Sequence, residues 1–173
     1  DTTQPTPVIN LTELKLEHFK VMLQQYYKTG SISGNFPDSS LNIITTLVDE
    51  FKFLGDDFTS YIDLLQNTEK SLDEIEAETY KILKKIWNEF GVSLLKENIS
   101  SYTNIQQTHI DSGWSTKESA NYYMYWANYI MLTSCQNALN DRNAEVKNKQ
   151  TAIDNLNEQM AIIADTISME NNF

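Results

Sequence analysis

At 173 residues, with 40% hydrophobic and 21% charged positions, the chain is long enough to bury one core and too short for two comfortable domains. Five glycines and three prolines exclude collagen-like, Pro/Gly-rich disordered and turn-dense all-β classes. The 24 acidic against 13 basic residues leave a net charge of -11, which opposes nucleic-acid phosphates and anionic lipid surfaces alike.

The chain opens at Asp1 without a methionine, and residues 1–9 contain Thr2, Thr3, Pro5, Thr6 and Pro7 with no apolar core. They read as an extended N-terminal tail of the kind left by signal cleavage. Acceptor sequons at Asn10 and Asn98 fit the same expectation, a secreted and glycosylated protein. No apolar run approaches the roughly 18 residues of a membrane span, so no transmembrane segment is expected. Cys135 is the only cysteine; stability must come from packing, and the thiol reads as a small buried hydrophobe.

Residues 10–173 are expected to form one all-α domain, an antiparallel bundle of five or six helices. The first helix begins with a capping box, Asn10 with Glu13, flanked by Ile9 and Leu14 as a hydrophobic staple. Leu11, Leu14, His18, Val21, Met22 and Tyr26 recur at helical spacing, widened by Leu16, Phe19 and Leu23, before Gly30 closes the helix. A loop over Gly30–Ser39 leads to a second helix from Ser39 or Ser40, burying Leu41, Ile44, Leu47, Val48 and Phe51 and ending at Gly55. Asp56 or Asp57 is expected to cap the third.

From Phe58 the positions Tyr61, Leu65, Leu72, Ile75, Ile82, Ile86 and Phe90 repeat at nearly seven residues. One unbroken helix to Gly91 and a break at Asn67–Ser71 are both open, the second favoured by the Ser71–Glu74 capping box and by acids preceding lysines. Val92, Leu95, Ile99, Tyr102, Ile105 and His109 form the next stripe, ended by Asp111-Ser112-Gly113. A third capping box, Ser115 with Glu118, starts the last helical region. There Tyr125, Leu132, Leu139, Val146, Ile153, Met160 and Ile167 keep a heptad repeat, with Leu156 and Ile163 in the alternate positions. Arg142 and Lys149 interrupt it. A break near 140–149 that folds the chain back is preferred over a projecting coiled-coil arm, because a straight helix would be roughly 80 Å long.

Signatures of catalysis are missing: there is no glycine-rich phosphate loop, no nucleophile elbow and no H-E-x-x-H. Lys15 and Gln106, three residues before His18 and His109, break the Glu-x-x-His pattern that di-iron bundles need. A zinc site shared by His18 and His109, or Cys135 paired with either histidine, is less expected than half-buried imidazoles with satisfied ring nitrogens. Neither an enzyme, a cofactor nor a metal is expected. The most unusual segment is Tyr122, Tyr123, Tyr125, Trp126 and Tyr129, five aromatics within eight residues. At about 100° per residue they cannot share one narrow face, so either the helix is central or some rings reach the surface. The leading expectation is a non-enzymatic domain that binds another protein through these rings. Two alternatives stand beside it: a carrier of a lipid-like ligand walled by Met22, Met124, Met131 and Met160, and a self-associating or toxin-like protein, with a homodimer through Val146–Ile167.

Overall fold

A computed structural model describes residues 11–29 (side chains from 15 to 28), 47–66 and 69–172. Their elements are α1 (Leu11–Thr29), a 3-10 turn (Lys52–Leu54), α2 (Asp56–Leu65), α3 (Leu72–Trp87), α4 (Val92–Asp111) and α5 (Tyr122–Asn171). No strand occurs among the described residues. The chain is an all-α helical bundle with a long C-terminal helix. The Asn10 capping box, the Ile9 staple, the Gly30–Ser39 loop and the start of the second helix lie outside the described residues.

The core is one cluster. Leu16, Phe19, Met22 and Leu23 of α1 meet Leu47, Phe51, Phe58 and Tyr61, where Phe19 stacks on Tyr61 with ring centroids 6.0 Å apart. The cluster continues through Ile82, Ile86 and Trp87 of α3 and Leu95 and Tyr102 of α4 to Ile130, Met131 and Cys135 of α5. The α5 helix packs along α4, α3 and α1 and serves as the common wall of the bundle. The buried stripe of α1 runs Leu16, Phe19, Lys20, Leu23, so a lysine fills the i+4 slot that pattern reading assigns to an apolar residue. Val48, expected in the core, is 41% exposed.

Local signals decide several boundaries. The 58–90 repeat is broken: Gln66 ends α2, and Ser71 starts α3 with its hydroxyl accepting from the Glu74 amide at 3.3 Å. The residue before α2 is Gly55, at φ 59°, rather than either aspartate; Asp56 and Asp57 occupy the first turn, where they complement the helix dipole. α3 ends at Trp87, and Gly91 precedes α4 instead of closing α3. At the end of α4, Gly113 takes φ 78°, which lets the Trp114 amide reach the His109 carbonyl and its own amide reach Ile110, both at 3.0 Å. This double closure is a Schellman motif, and the Trp114 ring lies 5.2 Å from the His109 ring as its side-chain contact.

Two expectations about the last helix are corrected. The Ser115–Glu118 box does not start it: residues 112–121 form successive turns, with Ser119 N to Thr116 O and Tyr122 N to Ser119 O closing them, and the helix begins at Tyr122. The fold-back near 140–149 does not occur either. α5 runs unbroken for 50 residues, roughly 75 Å. The polar stretch that suggested a turn is where the helix crosses the rim of the bundle, and its residues hold that rim. Asp141 pairs with Lys84 at 2.8 Å, and Arg142 donates to the carbonyls of Asn88 (2.9 Å) and Phe90. The Arg142 guanidinium thus satisfies carbonyls that the end of α3 leaves open. Asn and Asp cost only about 0.5 kcal/mol each in a helix interior, too little to end a helix that neighbours secure at one side. Beyond this clasp every residue from Asn143 to Asn172 is exposed.

Candidate functional site

The aromatic segment occupies the first two turns of α5, where this helix meets α1 and α3. Its neighbours sort the rings by direction. Trp126, Ala127 and Ile130 turn inward and are buried, Trp126 with its indole N–H donating to the Glu76 carboxylate at 2.6 Å. Tyr122, Tyr123 and Tyr125 are half-buried, and Tyr129 is 42% exposed. The helix is therefore neither fully surrounded nor presenting all five rings. It takes Trp126 inside, leaves Tyr122, Tyr125 and Tyr129 along a seam, and sets Tyr123 beside it.

The seam is continuous. Tyr27 of α1 stacks on Trp126 at 5.0 Å and meets Tyr122 edge-on at 5.4 Å. Tyr122 contacts Tyr125 at 5.8 Å, and Tyr125 stacks with Tyr129 at 6.0 Å. Such ring contacts contribute on the order of 1 kcal/mol each beyond the area they bury, so the rings form a stiff surface. Tyr123 stands to one side with the Lys28 ammonium 5.1 Å from its ring centre, a cation–π contact. Tyr80 of α3 flanks the seam; burial first, then the neighbouring Tyr129 and Glu76, push its phenol up to about 12 against the hydrogen bond from Thr133. Burial also raises Tyr27 and Tyr122, with Glu76 adding to both. These phenols stay protonated, each an apolar ring with a hydroxyl tip that can donate and accept.

The remaining chemistry-bearing residues are placed differently. Cys135 is fully buried, its Sγ 3.5 Å from the Leu95 carbonyl, and burial lifts the thiol to about 12, so it packs as a small hydrophobe. His109 is buried in the last turn of α4, and its Nδ1 has no partner among the described residues. Burial, then the Lys20 charge, lowers its pKa. Nδ1 of His18 is likewise buried without a partner there. Among the described residues, His, Cys, Asp and Glu side chains nowhere gather in threes.

Asn98 is buried on α4 with its Nδ2 donating to Leu94 O at 2.8 Å; the atom that would carry a glycan is enclosed in the folded domain. The sequon at Asn10 lies outside the described residues. A cleft of about 880 Å³ between α2 and α3 is open to solvent and lined by Tyr61, Leu64 and Ile82 together with Asp57, Glu74 and Lys85.

Pattern reading missed two polar arrangements. Lys20, buried, lies over the Tyr102 ring at 5.3 Å, and the Tyr102 hydroxyl donates to Glu17 at 3.4 Å; burial lowers the lysine's pKa and Glu17 pulls it back. The only sign in the sequence was the lysine in an apolar slot, three residues after a glutamate. Arg142 gave a sign of the opposite kind, a charge in the heptad seam that looked like an interruption and is a clasp.

No family model matches the chain, no curated protein is significantly similar to it, and no solved structure significantly resembles its fold. What fold and face define is an all-α bundle with a tyrosine-rich seam on its longest helix.

Proposed function

We propose that this chain is a non-enzymatic binding protein that recognises another protein through the tyrosine seam of α5. The observation that carries the reading is the surface position of Tyr122, Tyr123, Tyr125 and Tyr129 beside a buried Trp126. Tyrosines with few rotatable bonds, already fixed by stacking, lose little entropy on binding and offer both apolar area and hydrogen bonds. The absence of catalytic sequence patterns and a thiol held protonated by burial support a binding role over catalysis. Secretion belongs to the same proposal and rests on the Asn10 sequon.

The test compares the 173-residue chain with the double variant Tyr125→Ala/Tyr129→Ala as baits in extract and culture fluid of the native source. The two substitutions remove the Tyr122–Tyr125 and Tyr125–Tyr129 contacts and leave buried Trp126 in place, so the urea midpoint should fall by about 2 kcal/mol equivalent with the helical circular dichroism unchanged. A protein crosslinked by the native chain and lost with the variant supports the seam. Identical captures by both baits, or none by either, would overturn it.

A further inference from the structure

The second half of α5 carries a surface that the bundle does not use. Val146, Ile153, Leu156, Met160, Ile163 and Ile167 are all between 50% and 66% exposed. They hold the a and d positions of one heptad register. That register continues without phase shift from Leu132, Cys135 and Leu139, which pack inside the bundle. The seam that closes the core thus runs on past the Arg142 clasp with nothing among the described residues packed on it. An isolated amphipathic helix in water draws little stability from propensity alone; most comes from packing its apolar face.

We propose that this arm pairs antiparallel with the arm of a second copy of the chain. Three features point to that occupant. First, the flanking e and g positions from 150 onward are Gln150, Ala152, Asn157, Gln159, Ala164 and Thr166, all uncharged, while Asp154, Glu158 and Asp165 lie on the outer face. From residue 150 onward two copies therefore meet without like charges at the seam's edges, although the whole chain carries -11. Second, the area suffices. Six half-exposed side chains of this size offer on the order of 100 Å² each, so two arms bury about 1,200 Å² from these residues alone, the lower bound for a stable interface.

Third, charge sets the direction. Parallel pairing stacks Lys149 on Lys149 and Glu170 on Glu170 in the d layers and brings two acidic bundles side by side. The antiparallel register places Leu156 against Met160 and Ile153 against Ile163 of the second copy. Val146 then faces Glu170, and Lys149 lies one layer away, between its own Glu145 and Glu170 of the second copy. The two bundles stand at opposite ends of the paired arms, roughly 40 Å apart, well beyond the Debye length of about 8 Å at physiological salt.

Sedimentation equilibrium of the full chain from 1 to about 200 μM reads the pairing. A concentration-dependent dimer is expected, weakened on the order of 100-fold or more by Leu156→Glu/Ile163→Glu, with the bundle's near-UV spectrum unchanged because neither residue touches the core. Direction is read by charge exchange. Lys149→Glu alone should weaken the antiparallel dimer about tenfold, and Lys149→Glu/Glu170→Lys should restore most of that loss. A monomer at every concentration overturns the pairing. A dimer indifferent to Leu156→Glu/Ile163→Glu overturns the arm as its site, and one in which Lys149→Glu is neutral overturns the antiparallel direction. None of these substitutions touches Tyr122–Tyr129, so failure here leaves the tyrosine seam standing.

Discussion

His109 shows how one buried group ties stability to pH. Its ring is packed against Trp114, its Nδ1 lacks a partner among the described residues, and Lys20 adds a positive charge nearby. Burial first, then the Lys20 charge, disfavours the imidazolium, so the folded-state pKa lies below the ordinary 6.5. Protonation is then easier in the unfolded chain. The contribution to stability is complete above pH 6.5 and is lost as pH falls from there through the folded pKa. Urea midpoints between pH 7.5 and 5 should decline for the native chain, and less steeply for His109→Gln, which cannot charge. Equal slopes would assign the decline to other groups. The imidazole's place at a helix boundary was readable from Asp111-Ser112-Gly113, but its neighbour Lys20 comes from α1, 89 positions away, and no local pattern joins them.

At the scale of elements, the boundaries with a chemical cap were legible and those without one were not. Ser71 and Glu74 announce α3 because a hydroxyl must meet an orphan amide there, and Gly113 announces the end of α4 because only a residue tolerant of φ 78° allows the closing bonds. The same four-residue pattern at Ser115–Glu118 starts nothing, since the chain between α4 and α5 needs turns to reverse direction. The continuity of α5 was the opposite case. Asn140 to Asn143 look like a turn until the end of α3 is set beside them. Arg142→Ala removes two charged hydrogen bonds from the Asn88 and Phe90 carbonyls and should cost about 1–3 kcal/mol in urea unfolding. Arg142→Lys should recover only part, because an ammonium lacks the planar fork that spans both oxygens. A loss below about 0.3 kcal/mol would mean that water replaces the clasp without penalty.

For the whole molecule, burial of ionisable groups sets an alkaline limit. Cys135 and Tyr80 are both pushed up to about 12, chiefly by burial, from ordinary values of 9.0 and 10.0. Burial raises Tyr61 further still, against its hydrogen bond to Thr79. Raised pKa values mean that stability is complete below the unfolded values and lost as pH rises through them toward the folded ones. Melting temperatures should therefore be flat from pH 7 to 8.5 and fall steadily above about 9. Cys135→Ala should remove the earliest part of that fall, at the cost of a small cavity. Paired arms would give the molecule two tyrosine seams, a bivalent arrangement whose avidity for a repeated partner exceeds that of one seam.

The sequence by itself determined the all-α class, the start of α3 at the Ser71 cap and the end of α4 at Gly113, and it holds a row of five aromatics and a heptad seam. These follow from periodicity and local hydrogen bonding, which act over a few residues. Tertiary structure alone decided which ring of the five is buried, that Lys20 lies inside, and that Arg142 clasps rather than interrupts. It also decided that half of α5 leaves the bundle with its apolar stripe in water. Those outcomes depend on which distant segment arrives at a given face, and nothing in the local pattern encodes the arrival.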